Sequence, residues 1–179
     1  MSKESISLIK SIVIAVILGL LIRNYVFNIA SVNGASMENT LHHKDLLFCL
    51  SYKKFQEVER DSIVVIKPPI PGEKRKFIKR VIGLPGETVT IKDGQVYIDG
   101  KLLDEPYVKD FTPAHLNGDI DDEFVLGDGE YFVMGDNRLN SEDSRAFGPI
   151  TKKNIYSFAV YRFFPFKSAT SIVYKDKEN

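Results

Sequence analysis

Residues 76–100 read KFIKRVIGLPGETVTIKDGQVYIDG, and this stretch decides the class of the fold. Short runs rich in β-branched and aromatic residues alternate here with Gly, Pro and Asp, which is typical of strands joined by tight turns. Thr88–Ile91 and Gln95–Ile98 flank the turn residues 92–94 and therefore predict a β-hairpin, followed by a second Asp-Gly turn at residues 99–100.

The same pattern predicts further strands on both sides of this hairpin. They cover residues 62–66, 76–82, 131–134 and 157–164, and the first strand of the hairpin itself covers residues 87–91. Residues 104–129 are polar and acidic, and we interpret them as a surface excursion without chemistry. The sequence therefore predicts a mostly β domain.

An apolar segment precedes this domain, from Ile6 to Ala30. Its charge-free centre, residues 11–22, lies between Lys10 and Arg23, whose long side chains can carry their charges to the two bilayer interfaces. Because a spanning helix needs about 20 residues, the segment predicts a transmembrane anchor. A cleaved signal peptide is the alternative, but residues 28–31 form a poor cleavage site, so an uncleaved anchor is favoured.

The anchor divides the chain into two parts. Residues 1–30 comprise a cytoplasmic start and the anchor, and residues 31–179 are enough for one domain with its own core. Lys3 and Lys10 favour a cytoplasmic N-terminus, whereas Arg23 argues weakly for the reverse. The sequence therefore predicts a single-pass membrane protein with an extracytoplasmic domain.

Composition excludes several classes of function. The 24 basic and 24 acidic side chains give a formal net charge of +0, so no nucleic acid partner is expected. The single cysteine, Cys49, cannot form an internal disulfide, and three histidines without suitable spacing give no metal-ligand cluster. We expect neither a metal nor a cofactor.

Lys79 is a candidate general base. A period of two places Phe77, Lys79 and Val81 on one face of a strand, where apolar neighbours would desolvate the ammonium. Burial and the positive charge of Arg80 would lower the lysine pKa from about 10.4 to near 7 or 8. The alternative is an exposed edge-strand lysine that prevents aggregation, and periodicity alone favours that alternative.

Ser36 is a candidate nucleophile in the small-residue turn formed by residues 33–37. A serine hydroxyl is a weak nucleophile without a base, so it needs Lys79 or a histidine nearby. His42 and His43 would suit a Ser-His-Asp arrangement. We nevertheless expect these two histidines, and His115, to be surface residues.

A third segment, residues 135–148 (GDNRLNSEDSRAFG), is a polar loop that directly follows the strand at residues 131–134. Taken with the anchor, with Ser36-Met37 and with residues 79–86 (KRVIGLPG), this loop resembles the corresponding segments of type I signal peptidases. The resemblance covers essentially the whole chain. The match in the loop is long and specific, whereas Ser-Met alone is a weak signal.

The resemblance implies roles for individual residues. Ser36 matches the nucleophile and Lys79 its general base, a serine-lysine dyad. Ser141 matches a hydroxyl that orients the lysine. Supporting positions that order the site through charge pairs are matched by Arg80, Asp143 and Arg145.

The turn around Ser36 matches the oxyanion and substrate-binding region through Gly34, Ala35 and Met37. Gly34 stands where some relatives carry a serine, so backbone N–H groups, chiefly that of Ser36, would hold the oxyanion. Asn39 stands where the family usually has Pro, and the turn loses a preset φ there.

The resemblance further implies a mostly β, metal-free endopeptidase that cuts exported precursors after small residues of the Ala-x-Ala type. A single span resembles the Gram-positive members, and the implied partners are signal peptides and the lipid bilayer. Two alternatives remain open: a self-cleaving Ser-Lys regulator, although such proteins carry a DNA-binding module, and a membrane-tethered binding domain without activity.

Overall fold

The computed structural model describes residues 3–51, 57–114 and 122–172. The helices are α1 (Lys3–Tyr25) and α2 (Ser144–Phe147), with 3₁₀ turns at Lys152–Asn154 and Phe166–Ser168. The strands are β1 (Phe27–Ser31), β2 (Leu46–Leu50), β3 (Ile63–Ile66), β4 (Phe77–Gly83), β5 (Thr88–Lys92), β6 (Gln95–Ile98), β7 (Lys101–Leu102), β8 (Asp122–Val125), β9 (Glu130–Met134), β10 (Ile150–Thr151), β11 (Ile155–Phe164) and β12 (Thr170–Ser171). The predicted mostly β class is confirmed.

Helix α1 presents apolar side chains on every side, since Leu8, Ile12, Val13 and Ile17 are all about half exposed. Among the residues described, no helix is both long and apolar enough to cross a membrane. The predicted anchor therefore stays a prediction. Helix α1 ends at Tyr25, and strand β1 follows from Phe27.

The predicted hairpin is present as β5 and β6, which pair antiparallel from Val89↔Ile98 to Lys92↔Gln95. Asp93 (φ 51°) and Gly94 (φ 78°) form its turn, in the left-handed conformation that such short loops require. With β7 and β8 the hairpin makes a four-stranded sheet in the order β7-β6-β5-β8. Strand β8 lies within the segment that we interpreted as a surface excursion, so that interpretation was wrong there; His115 lies outside the described residues.

The larger sheet has eight strands, all antiparallel, in the order β1-β2-β11-β3-β4-β9-β10, with β12 paired to β11. Strand β4 lies between β3 and β9 in this sheet, and apolar clusters cover both of its faces. Val81 packs in a cluster with Val64 and Ile66, and Ile82 packs in another with Val89. Strand β4 is thus a central strand over Arg80–Gly83, which places its polar side chains inside the protein.

Among the described residues, two strand edges remain unpaired near the start of β4. Strand β1 is the terminal strand of the large sheet, and its only partner in the described part of the chain is β2. Phe77 and Ile78 pair with β3 on one side, but β9 begins to pair with β4 only at Arg80. An extended peptide could therefore add to either edge.

Candidate functional site

Ser36 and Lys79 meet where the turn after β1 crosses the start of β4. The Lys79 Nζ lies 2.9 Å from the Ser36 Oγ, within hydrogen-bonding distance. The Lys79 side chain is buried, with 3% of the residue exposed, and its Nζ lies 5.5 Å from the centre of the Phe77 ring on the same strand face. The alternative of an exposed edge-strand lysine is therefore wrong.

Burial lowers the pKa of Lys79 from its ordinary 10.5 to about 8, because an ammonium loses its hydration inside the protein. The carboxylate of Asp143 acts in the opposite direction and raises this pKa, and the guanidinium of Arg145 lowers it. From the sequence we expected Arg80 to be the cation that lowers the pKa of Lys79, but that cation is Arg145. With a pKa of about 8, roughly a tenth of the amine is neutral at pH 7, and this neutral fraction can act as a general base.

The loop after β9 donates hydrogen bonds to the backbone of the Ser36 turn. The backbone N–H of Asn137 donates to the Ser36 carbonyl (3.1 Å), and the Asn137 side-chain amide donates to the Ala35 carbonyl (3.1 Å). Gly135 makes this approach possible, because a Cβ there would overlap the Ser36 carbonyl oxygen and the Ser141 hydroxyl. Residues of two distant segments thereby fix the position of the Ser36 hydroxyl.

Arg80 is a buried anchor beneath the turn. Its guanidinium donates to both carboxylate oxygens of Asp136 (2.9 and 2.7 Å), and it stacks on the Tyr107 ring at 3.9 Å. The Thr40 hydroxyl also donates to Asp136. Because both charged side chains are at most 3% exposed, loss of one partner would leave an uncompensated buried charge.

Asp143 and Arg145 form a second buried pair, with 2.9 Å between carboxylate oxygen and guanidinium nitrogen. Asp143 also accepts from the Gly135 N–H (3.0 Å), and Arg145 donates to the Pro113 carbonyl (3.1 Å). The cost of burial opposes ionisation, but the Arg145 hydrogen bond and charge prevail and lower the pKa of Asp143. These contacts tie the polar loop to the segment before residue 115.

Ser141 lies beside Gly135, and its hydroxyl is buried. This hydroxyl has no hydrogen bond of acceptable geometry within the described part of the chain, although it lies near enough to Asp143 to help lower that pKa. A hydrogen bond from Ser141 to Lys79 is therefore not formed among these residues, and its predicted orienting role stays a prediction.

Two residues near Ser36, Gly34 and Asn39, have a positive φ. Gly34 has φ 100°, and its N–H donates to the exposed His43 side chain at Nδ1 (3.3 Å). Asn39 has φ 97°, a value that proline cannot adopt. Met37 is buried in the core and also lines the cavity beside Ser36.

The Ser36 N–H donates to no group among the described residues, and it is free to meet a developing oxyanion. His42 and His43 are exposed, as expected.

A groove leads away from the pair between the two unpaired strand edges. A cavity of about 190 Å³ adjoins Ser36 and Lys79, with Val32 and Ile78 in its walls. It continues into a larger space of about 570 Å³ between β1 and residues 74–78. The groove is therefore open to an extended chain and narrow beside the hydroxyl.

Several site residues were not identified from the sequence. They are Thr40, Asp61, Glu105, Tyr107, Asp136, Asn137 and Arg138. One signal was available, since a buried Arg80 requires a carboxylate partner. The partner itself lies 56 residues away, and nothing in the sequence singles it out.

Comparison with known proteins assigns the chain to a family. The family model described as signal peptidase, peptidase S26, matches residues 5–164. The chain is 44% identical over 164 residues to a signal peptidase I of Bacillus amyloliquefaciens, covering 88% of this chain and 86% of that protein. It is also 44% identical over 166 residues to signal peptidase I S of Bacillus subtilis strain 168, covering 88% of each.

A crystal structure of a signal peptidase I from Enterococcus faecalis V583 is 31% identical, with a TM-score of 0.45, and the match covers 57% of this chain and 97% of that one. The family model and the Bacillus relatives decide the assignment: the chain belongs to the type I signal peptidases and is a serine peptidase.

Proposed function

We propose that this protein is a membrane-held endopeptidase that removes N-terminal signal peptides from exported precursors with a Ser36-Lys79 dyad. One observation carries the proposal: the buried Lys79 amine lies 2.9 Å from the Ser36 hydroxyl. Family membership supports the reaction, and the contact supports the assignment of these two residues.

The chemistry follows from that contact. The neutral Lys79 amine accepts the Ser36 hydroxyl proton while Oγ attacks the carbonyl carbon of the scissile peptide. The Ser36 N–H stabilises the oxyanion of the tetrahedral intermediate. Lys79 then gives its proton to the leaving amine, which departs and leaves an acyl-enzyme. A water molecule deprotonated by Lys79 attacks the ester and restores the Ser36 hydroxyl.

Substrate binding is proposed as strand addition. The free edges of β1 and of Phe77–Ile78 offer backbone hydrogen bonds on both sides of an extended precursor. Alternate side chains of that strand would point toward the enzyme. The cavity of about 190 Å³ beside Ser36 favours small side chains there, which supports cleavage after Ala-x-Ala sequences.

Membrane attachment is proposed through α1. A helix that is apolar all round needs an apolar environment, and the described side chains of α1 are exposed along its length. Its 23 residues extend about 34 Å at 1.5 Å per residue. Basic residues near the N-terminus favour a cytoplasmic start, with the strands outside the cytoplasm.

The test uses the full chain in neutral detergent with a signal-bearing precursor, followed by N-terminal sequencing of the product. The parent should cut after a small residue. Ser36→Ala and Lys79→Ala should each lower kcat/KM by about 10³-fold or more.

Ser171→Ala and Lys101→Ala are matched controls, because both side chains are exposed on other strands. Unchanged cutting by the two dyad variants would contradict the assigned residues. No cutting by the parent would instead favour a tethered binding domain.

A further inference from the structure

The groove has an uneven charge along its length. Its catalytic end is lined by Lys79, by Arg75 and Lys76, which extend along the whole groove, and by the exposed carboxylate of Glu142. Its distal end, between β1 and residues 74–76, is lined by Lys74, Arg75 and Lys76, and no Asp or Glu of the described residues lines it. The distal half is therefore basic.

Two of these charges are uncompensated. Arg75 forms an ion pair with Glu73, which neutralises it. Lys74 and Lys76 are exposed, and neither forms an ion pair with a described residue. The Lys76 Nζ lies 3.1 Å from the centre of the Tyr156 ring, and this cation–π contact holds the ammonium at the groove wall.

The position of these lysines along a bound precursor follows from strand geometry. Lys76 and Lys74 precede Lys79 by three and five residues, and an extended substrate advances at about the same 3.3 Å per residue. The distal groove also includes Asn28 and Ile29 of β1, close after the end of α1. If α1 lies in the bilayer, this end of the groove faces the membrane from which the upstream part of a precursor emerges.

We propose that Lys74 and Lys76 form a specificity site that favours precursors with an acidic side chain, and disfavours those with a basic one, roughly three to six residues before the cut. This inference rests on the proposed function and adds a charge preference to it. Exposed charge pairs are weak and screened by salt, so the preference is modest and dependent on ionic strength.

The experiment compares three precursors that differ only at the fifth residue before the cut: Glu, Gln or Lys. With the full chain in neutral detergent at low salt, kcat/KM for the Glu precursor should exceed that for the Lys precursor by about 3- to 20-fold. This ratio should fall toward one in about 1 M salt.

Charge variants locate the effect. Lys74→Gln with Lys76→Gln should bring the ratio close to one, and Lys74→Glu with Lys76→Glu should reverse it. The matched control, Lys92→Gln with Lys101→Gln, removes two exposed lysines from the small sheet and should keep the parental ratio.

Three results would overturn the inference. Equal cutting of all three precursors by the parent would remove the charge preference and leave the proposed function intact. If the parent cuts none of the three precursors, both the charge preference and the proposed function are wrong. The third result is that Lys74→Gln with Lys76→Gln loses binding to anionic vesicles while the ratio of kcat/KM between the Glu and Lys precursors stays unchanged. That result would show that these lysines bind lipid headgroups instead.

Discussion

At the scale of single residues, the site depends on one amine held among opposing charges. Burial lowers the pKa of Lys79, while the carboxylates of Asp143, Glu142 and Asp136 raise it and Arg145 lowers it. Burial is the largest of these influences, which is why the amine can be neutral near the Ser36 hydroxyl. The carboxylates limit how far the pKa falls.

Glu142 allows this balance to be tested, because it is exposed and lines the same cavity as Lys79. Its negative charge favours the ammonium, so Glu142→Gln should lower the pKa of Lys79 and move the rise of kcat/KM to lower pH. The shift should shrink at high salt. Glu123→Gln, an exposed carboxylate on β8, is the control, and equal profiles for both variants would contradict the argument.

At the scale of elements, the site is a junction between the turn after β1, strand β4 and the loop after β9. Gly135 is the point of closest approach between the turn and the loop. Two buried ion pairs, Arg80–Asp136 and Asp143–Arg145, hold the loop on either side of it. The Ser36 hydroxyl is thus positioned by segments that are far apart in sequence.

Gly135→Ala should separate these elements. The added methyl would overlap the Ser36 carbonyl oxygen and the Ser141 hydroxyl, so the turn must move away. We expect a loss of about 1–3 kcal/mol in the free energy of unfolding and at least about a tenfold loss in kcat/KM.

Denaturant unfolding and precursor cleavage measure the two effects. Gly127→Ala is the control, since a Cβ there would meet only the end of the Glu130 side chain, which can rotate away. Parental activity in Gly135→Ala would show that the close approach does not position the serine.

The sequence predicted those elements whose pattern is local. The β5–β6 hairpin follows from alternation and an Asp-Gly turn, and both are readable within about a dozen residues. Strand β1 was missed because Phe27–Ala30 continues the apolar run of α1, and β2 (LLFCL) was missed because it lacks alternation.

In the site, too, local patterns were predictable and contacts between distant residues were not. Periodicity alone favoured an exposed Lys79, since it cannot tell an edge strand from a central one. The contact between Lys79 and Ser36 spans 43 residues, and that between Arg80 and Asp136 spans 56. Such pairings are set by sheet order, so only the family resemblance could place the dyad in advance.

At the scale of the whole molecule, an apolar helix leads directly to the groove, which opens beside the end of that helix. Strand β1 starts at Phe27, directly after α1, and forms one wall of the groove. If α1 lies in the bilayer, a precursor that emerges from the same bilayer would reach the groove at the membrane face.

Vesicle flotation tests the role of α1. The full chain should float with phosphatidylcholine vesicles, whereas Val13→Glu with Ile17→Glu should not, since a carboxylate deep in a bilayer costs about 2.5–3.5 kcal/mol. Gln95→Glu with Lys101→Glu places two carboxylates on the small sheet and should float like the parent. Equal flotation of both pairs of variants would show that α1 does not hold the protein on lipid.

The central claim is that a neutral Lys79 amine deprotonates Ser36. The most direct measurement is kcat/KM of the full chain against pH, with one precursor in neutral detergent, because this profile reports the free enzyme's base. We expect kcat/KM to rise with pH around a pKa of about 8 in the parent, and we expect this rise to be absent in Lys79→Ala. A rise governed by the ordinary lysine value of 10.5, or the same profile in Lys79→Ala, would contradict it.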